Sequence, residues 1–189
     1  YLPEFHTVRS QNDFLTVCKS PEMSAELTVQ PFRRFGNIGL NACIVFSDIL
    51  TIPAAMGQTL TMVKGDGPKL TPRLEHPSML SGLNLTPNVT TQLGYVGEAI
   101  KESIKLANEH SKQSGCPQVP VIGFSGAPWT LFTYMVEGGG SRNWTESRAW
   151  LYKYPTESKK MLAAITDLVI EYLVMQIDSG AELLQVFDT

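Results

Sequence analysis

Apolar positions along the chain follow two rhythms. Three stretches are apolar with little interruption: residues 42–46, 119–124 and 183–187. Runs of this kind mark strands buried on both faces, as in parallel sheets. The first leads into Ser47-Asp48, the second into Ser125-Gly126, the third into Asp188-Thr189. Between them the period lengthens. Val96, Ala99, Ile100, Ile104, Leu106 and Ala107 predict a helix over residues 93–112, ended by Gly115. Leu162, Ile165, Leu168, Val169, Tyr172, Leu173 and Ile177 predict another over 157–179, stopped by Ser179-Gly180. Ahead of the first strand, Ser20-Pro21-Glu22 supplies an N-cap, a proline at the first helical position and an acid in the first turn. Ala25, Leu27, Val29, Phe32 and Phe35 follow with partial amphipathicity, and Pro31 predicts a kink or break. Thr59–Val63 and residues 69–71 flank Lys64-Gly65-Asp66-Gly67-Pro68, a hairpin with a longer loop. Residues 72–90, rich in Pro, Ser, Asn and Thr, predict a loop.

The resulting order is βαβαβ, which implies a parallel sheet with right-handed crossovers. In (β/α)8 barrels reactive groups collect at the C-terminal ends of the strands, and in doubly wound sheets at the switch point. Spacing alone leaves both open. Asp48, directly after an apolar strand, belongs at a pocket floor or at the N-cap of the next turn. A buried carboxylate costs several kcal/mol unless paired or hydrogen-bonded. Tyr134 lies in an aromatic-rich segment of the kind that packs in a core, yet a tyrosine also serves where one end is apolar and the other hydrogen-bonded.

Other features exclude more than they suggest. Gly138-Gly139-Gly140-Ser141 lacks the spacing and the lysine of a phosphate-binding loop, and Gly65-Asp66-Gly67 lacks a dinucleotide-binding context. His6, His76 and His110 are far apart and at no strand end. The sequons at Asn84, Asn88 and Asn143 are best read as chance. Three scattered cysteines form neither a disulfide framework nor a metal motif, so a reduced compartment is the default. With 15 Lys and Arg against 18 Asp and Glu, the net charge of −3 offers no basic stripe for nucleic acid. No apolar run reaches the ~18–20 residues of a membrane span, and no signal peptide is visible. The chain begins without Met, so a natural start, with any targeting segment, is expected to precede it.

Long motifs then point to a family. Phe124-Ser125-Gly126-Ala127-Pro128-Trp129-Thr130, continued by Tyr134-Met135-Val136-Glu137-Gly138-Gly139, resembles the central signature of the uroporphyrinogen decarboxylase family. So do Ile44-Val45-Phe46-Ser47-Asp48-Ile49-Leu50, Met62-Val63 and Gly65-Asp66-Gly67-Pro68. Tyr1-Leu2-Pro3-Glu4-Phe5 resembles the tail of an N-terminal Arg-Gln-Ala-Gly-Arg-Tyr-Leu-Pro motif. Ser20-Pro21-Glu22, Glu26-Leu27-Thr28 and Gln30-Pro31 match as well. The resemblance covers essentially all 189 residues. It implies an α/β fold, a partial (β/α)8 TIM barrel: the first three parallel strands, crossover helices and a β-hairpin excursion. Residues 1–189 would be a single incomplete barrel domain, truncated at both ends, because such barrels typically need ~250 residues.

The same resemblance implies an enzyme, a carboxy-lyase of haem and porphyrin biosynthesis. It removes carboxyl groups from the four acetate side chains of uroporphyrinogen III, giving coproporphyrinogen III and CO2, with no metal and no organic cofactor. The isolated fragment is expected to be inactive. Asp48 takes the place of the key carboxylate and Tyr134 that of the tyrosine supporting it, so these two are the catalytic candidates. Arg9 matches an arginine that meets substrate carboxylates. Thr189 falls where members usually carry Ser, with the hydroxyl retained and a methyl added. Asp48, Tyr134, Arg9 and Thr189 are thus the substrate-binding candidates. Ile44, Phe124 and Phe187 would form apolar walls, and His6 stands where many members carry Arg. Implied partners are the anionic tetrapyrrole and a second subunit of a homodimer, with no nucleic acid and no membrane, in the cytoplasm. Two rivals are an inactive truncated tetrapyrrole-binding fragment and a corrinoid or thiol methyltransferase of the same superfamily, which would hold Zn with His and Cys ligands.

Overall fold

The computed structural model describes residues 2–189; Tyr1, the first residue of the Tyr-Leu-Pro-Glu-Phe match, lies outside them. The elements are α1 (Pro3–Arg9), α2 (Phe14–Lys19), α3 (Pro21–Phe35), β1 (Cys43–Ile44), α4 (Thr51–Ala55), β2 (Thr59–Val63), β3 (Gly67–Thr71), α5 (Val89–Ser114), β4 (Val121–Gly126), α6 (Pro128–Glu137), α7 (Thr145–Lys153), α8 (Pro155–Asp178) and β5 (Leu183–Phe187).

A three-stranded sheet has the order β1-β4-β5, and β2-β3 form a separate antiparallel hairpin. β1 and β4 are parallel, pairing Cys43 with Val121 and Ile44 with Ile122. β5 is parallel to β4 as well. Glu182 N–H donates to Val121 O at 3.1 Å and Ala127 N–H to Phe187 O at 2.7 Å, so partner numbers rise together along both strands. The βαβαβ order holds. The chain is the partial (β/α)8 barrel that the resemblance implies, with three parallel strands, crossover helices and a hairpin excursion.

Contacts divide the chain into two compact units. One comprises the chain up to Asp48, Leu93–Phe124 and Leu173–Gln185. Its core includes Val17, Cys18, Ala25, Val29, Phe32, Val96 and Ile100. Ser20 caps α3 as its sequence predicts, accepting from Met23 N–H at 3.3 Å. The other comprises Ile49–Gln92, Ser125–Tyr172 and the chain from Val186. Leu70, Leu74, Leu131, Phe132, Met135, Trp150 and Met161 are buried there. Gln58 Nε2 bonds Pro72 O at 2.7 Å and Met135 O at 3.3 Å, tying the hairpin region to α6.

Several expectations need correction. α3 continues through Pro31 to Phe35, because Leu27, Thr28, Gln30 and Phe32 are buried around the proline and hold the turn in place. The apolar run at 42–46 pairs as a strand only at Cys43–Ile44. In this chain β4 is buried along nearly all of its length, whereas β5 is exposed throughout and Ile44 is 45% exposed, so of the three strands expected to be buried on both faces only β4 is. Residues 72–90 contain a 3-10 helix at Pro77–Gly82, begun by His76, whose Nδ1 accepts from Ser78 N–H at 3.2 Å. Gly67 and Pro68 belong to β3, not to the turn before it.

Candidate active site

Two of the predicted site residues lie in the first unit. Asp48 is buried, 7% exposed, four residues beyond β1. The N-cap position of the helix that follows is held by Leu50, two residues beyond Asp48. Arg9 closes α1 and is half-buried. Its Nη1 donates to Asn12 O at 2.7 Å, and its guanidinium sits 5.7 Å from the Phe14 ring centroid. Phe14 packs edge-on against Phe46 at 5.6 Å, and Phe5 against Phe46 at 6.1 Å. Aromatic packing therefore links the seat of Arg9 to the segment that carries Asp48.

Cys18 reports on the charges nearby. Burial, then the negative charge of Asp48, pushes its thiol up to about 12, while Arg9 opposes the shift. A carboxylate and a guanidinium are thus both within electrostatic reach of one buried thiol. Beside Asp48, Ser47 Oγ is buried without a hydrogen-bond partner. Buried hydroxyls without a partner are rare. Ser47 was legible as a polar strand end within a family motif but not as a buried hydroxyl, since a serine after a strand carries no signal of burial. An apolar hollow of about 340 Å³ lies along the same segment, lined by Phe5, Leu27, Thr28, Cys43, Ile44 and Phe46. Of the expected apolar walls, Ile44 lines this hollow and Phe124 is buried at 8% exposure.

Tyr134 and Thr189 belong to the second unit. Pro128 starts α6 directly after β4, and Gly138, with φ of +76°, ends it. Tyr134 is half-buried on that helix, and its ring lies 5.6 Å from that of Trp144. Trp144 is the one non-glycine among the described residues with positive φ, at 50°. Left-handed backbone in such a residue is strained by about 1–3 kcal/mol. Glu137 Oε1 accepts from Glu146 N–H, Ser147 N–H and Ser147 Oγ at 3.0, 3.1 and 3.1 Å, anchoring the start of α7. Thr189 is exposed, and its N–H donates to Asp188 Oδ1 at 3.0 Å. The same oxygen accepts from buried Thr130 Oγ1 at 3.0 Å, so Asp188 is held in one orientation. Asp188 was legible as a polar strand end but not as a fixed carboxylate. Phe187, the third expected wall, is 41% exposed.

His6 lies on α1, edge-on to Phe5 at 5.7 Å. Among the described residues, no three His, Cys, Asp or Glu side chains come together in a way that could hold a metal ion. Each parallel strand is followed by polar groups: Asp48 after β1, Ser125 within the end of β4, Asp188 and Thr189 after β5. That placement is the one expected of the strand ends of a (β/α)8 barrel. A methyltransferase from Methanosarcina mazei shares this fold, with a TM-score of 0.71 and 21% identity over 98% of this chain and 50% of its own.

The family model for uroporphyrinogen decarboxylase matches residues 1–189, and the chain belongs to that family. It is 46% identical over 189 residues to uroporphyrinogen decarboxylase from Schizosaccharomyces pombe, and 45% identical to those from Salinibacter ruber and Homo sapiens. All of this chain is covered in each comparison, and 50%, 50% and 48% of the respective relatives. The chain spans about half the length of the curated relatives it matches.

Proposed function

We propose that this chain is the N-terminal half of a uroporphyrinogen decarboxylase, one incomplete barrel domain. The complete protein converts uroporphyrinogen III to coproporphyrinogen III by removing the carboxyl groups of its four acetate arms. The observation that supports it most is Asp48. It is a buried carboxylate beyond a barrel strand, within electrostatic reach of the same thiol as Arg9, in a chain that matches the family over its whole length.

The substrate acts as its own electron sink, so no cofactor is called for. A pyrrole carbon beside the acetate-bearing position takes a proton, and the ring becomes cationic. The C–CO2 bond breaks, its electron pair enters the ring, and CO2 leaves. The exposed methylene carbon takes a proton to become methyl, and the ring gives one up. Each acetate arm thus consumes one proton net and yields CH3 and CO2. Asp48, an acceptor only, bonds pyrrole N–H groups and stabilises the cation as it forms. Tyr134 supports that chemistry through its hydroxyl. Arg9 and Thr189 meet the substrate's polar groups, Arg9 through a fixed charge suited to carboxylates. Ile44, Phe124 and Phe187 contribute apolar surface. The protein works as a homodimer in the cytoplasm.

The test is turnover by the full-length protein. Uroporphyrinogen III should yield coproporphyrinogen III and CO2, and no conversion under reducing conditions would overturn the reading. Asp48→Asn keeps the shape and removes the charge. Its single-turnover rate should fall by ~10²–10³, the scale of losing one aligned charge-stabilising contact. Substrate affinity should fall far less, because only interactions stronger in the transition state raise the rate.

A further inference from the structure

We infer that Gln176 is a positioning residue: it ends the β1–β4 ladder early and so sets where the chain leaves the sheet toward Asp48. The inference rests on the role proposed for Asp48.

The ladder runs from Cys43 N–H to Pro120 O at 3.0 Å and from Val45 N–H to Ile122 O at 2.9 Å. In a parallel pair, a residue that donates to one neighbour's carbonyl accepts from the N–H two residues further along. The next rungs would therefore use Phe124 N–H, facing Val45 O, and Phe124 O, facing Ser47 N–H. One side chain holds both Phe124 groups. Phe124 N–H donates to Gln176 Oε1 at 2.8 Å, and Gln176 Nε2 donates to Phe124 O at 2.9 Å. No register pair follows Ile44 and Ile122.

Gln176 is fully buried on α8, and its amide offers one acceptor and one donor, as a neighbouring strand would. Gly123 makes the approach possible, because a Cβ there would stand 2.4 Å from Gln176 Oε1. A second clamp holds the opposite edge of the first strand. Phe46 N–H donates to Thr28 Oγ1 at 2.9 Å and Phe46 O accepts from Ser24 Oγ at 2.6 Å. Both helix residues are buried. Side chains of α8 and α3 thus take the peptide groups at the strand ends, and residues 45–48 leave the sheet pattern before Asp48. Phe46 also carries the ring contacts that reach Arg9 through Phe14. The point at which the ladder stops therefore fixes both charged groups proposed to meet substrate.

The test uses the full-length protein with uroporphyrinogen III. Gln176→Glu reproduces the amide's acceptor and donor only when its carboxyl is protonated; ionised, it loses the donor and faces the Phe124 carbonyl. Its kcat relative to wild type should be down about tenfold at pH 8, within the ~10²-fold that a 1 Å misplacement can cost. The ratio should climb as pH falls to 6, with KM changing less. Gln176→Leu should lose kcat at both pH values without that recovery. Gly123→Ala, which displaces the amide, should repeat the loss if Gln176→Leu does not fold. Hydrogen exchange adds a readout independent of turnover: the Ser47 amide should gain protection in Gln176→Leu as the ladder extends. A kcat ratio flat with pH, with only thermal stability lowered, would overturn the inference and leave Gln176 as a tie between α8 and β4. Inactive wild type would instead overturn the proposed function.

Discussion

Asp48 and Tyr134 are both proposed to act in the reaction, yet their surroundings rank them. Asp48 is buried beside an unpartnered Ser47 hydroxyl, whereas Tyr134 is half-buried and packs its ring on Trp144. Tyr134→Phe keeps that ring contact and deletes one hydroxyl, so its single-turnover rate should fall clearly less than that of Asp48→Asn. An equal loss would move direct proton transfer to the tyrosine. Cys18 gives a separate test of the charge near the site. Burial and then Asp48 push its folded thiol up from 9.0 to about 12. Between those values the unfolded chain has lost a proton that the folded chain keeps. This contribution to stability is complete below pH 9 and is lost as pH rises toward 12. The slope it adds is at most about 1.4 kcal/mol per pH unit. Urea unfolding of wild type and Cys18→Ala between pH 8 and 11 should show the difference in free energy shrinking over that range. Cys43, raised to about 11 by burial, works in the same direction, so both thiols should resist alkylation in the native state at pH 8.

At the scale of elements, α7 depends on a residue outside it. Three donors at its start converge on Glu137 Oε1, and the preceding Trp144 side chain supplies no cap. Glu137→Ala should lower unfolding free energy by about 1.5–3 kcal/mol, as expected for hydrogen bonds to a charged group. Glu137→Gln, still an acceptor, should lose less, and urea denaturation would measure both. This helix and α6 were not legible as helices. Ala127-Pro128 is a good helix start, and Leu131, Phe132, Met135 and Val136 repeat at helical spacing. The segment's aromatic content masked that period. The strand 42–46 shows the opposite limit: its apolar run was legible and its pairing was not. Pairing there is decided by Gln176, Thr28 and Ser24, polar residues remote in sequence whose hydrogen-bond partners no local pattern specifies. The candidate site divides in the same way. Asp48 and Tyr134 lie in long motifs and Arg9 and Thr189 match single positions of the family, whereas Ser47, though inside the motif of Asp48, and Asp188 stand out as buried or fixed groups only in the structure.

Over the whole molecule, one feature ties the chain to the greater length of its relatives. Ile170, Val174 and Ile177, four and three residues apart on α8, are 55%, 48% and 52% exposed. Every residue of β5 is exposed too, including Leu183, Val186 and Phe187. An exposed apolar strand at a sheet edge is a template for association, and exposed apolar side chains repeating along one helix mark a stripe that packs on something. The 189 residues expressed alone should therefore bind a hydrophobic dye such as ANS and associate as concentration rises. The triple substitution Ile170→Glu, Val174→Lys, Ile177→Glu should lower both signals. Because all three side chains are half in water here, it should change unfolding free energy little, within about 0.5 kcal/mol per site. In the full-length protein the outcome should reverse. If the additional chain covers this face, the same substitutions place charge in a packed interior and should lower the melting temperature steeply, since a buried unpaired charge costs several kcal/mol. Light scattering and thermal melts on the two lengths compare the cases directly. An unchanged melting temperature in the longer protein would show that the α8 stripe stays in water there, and that the covered face lies elsewhere.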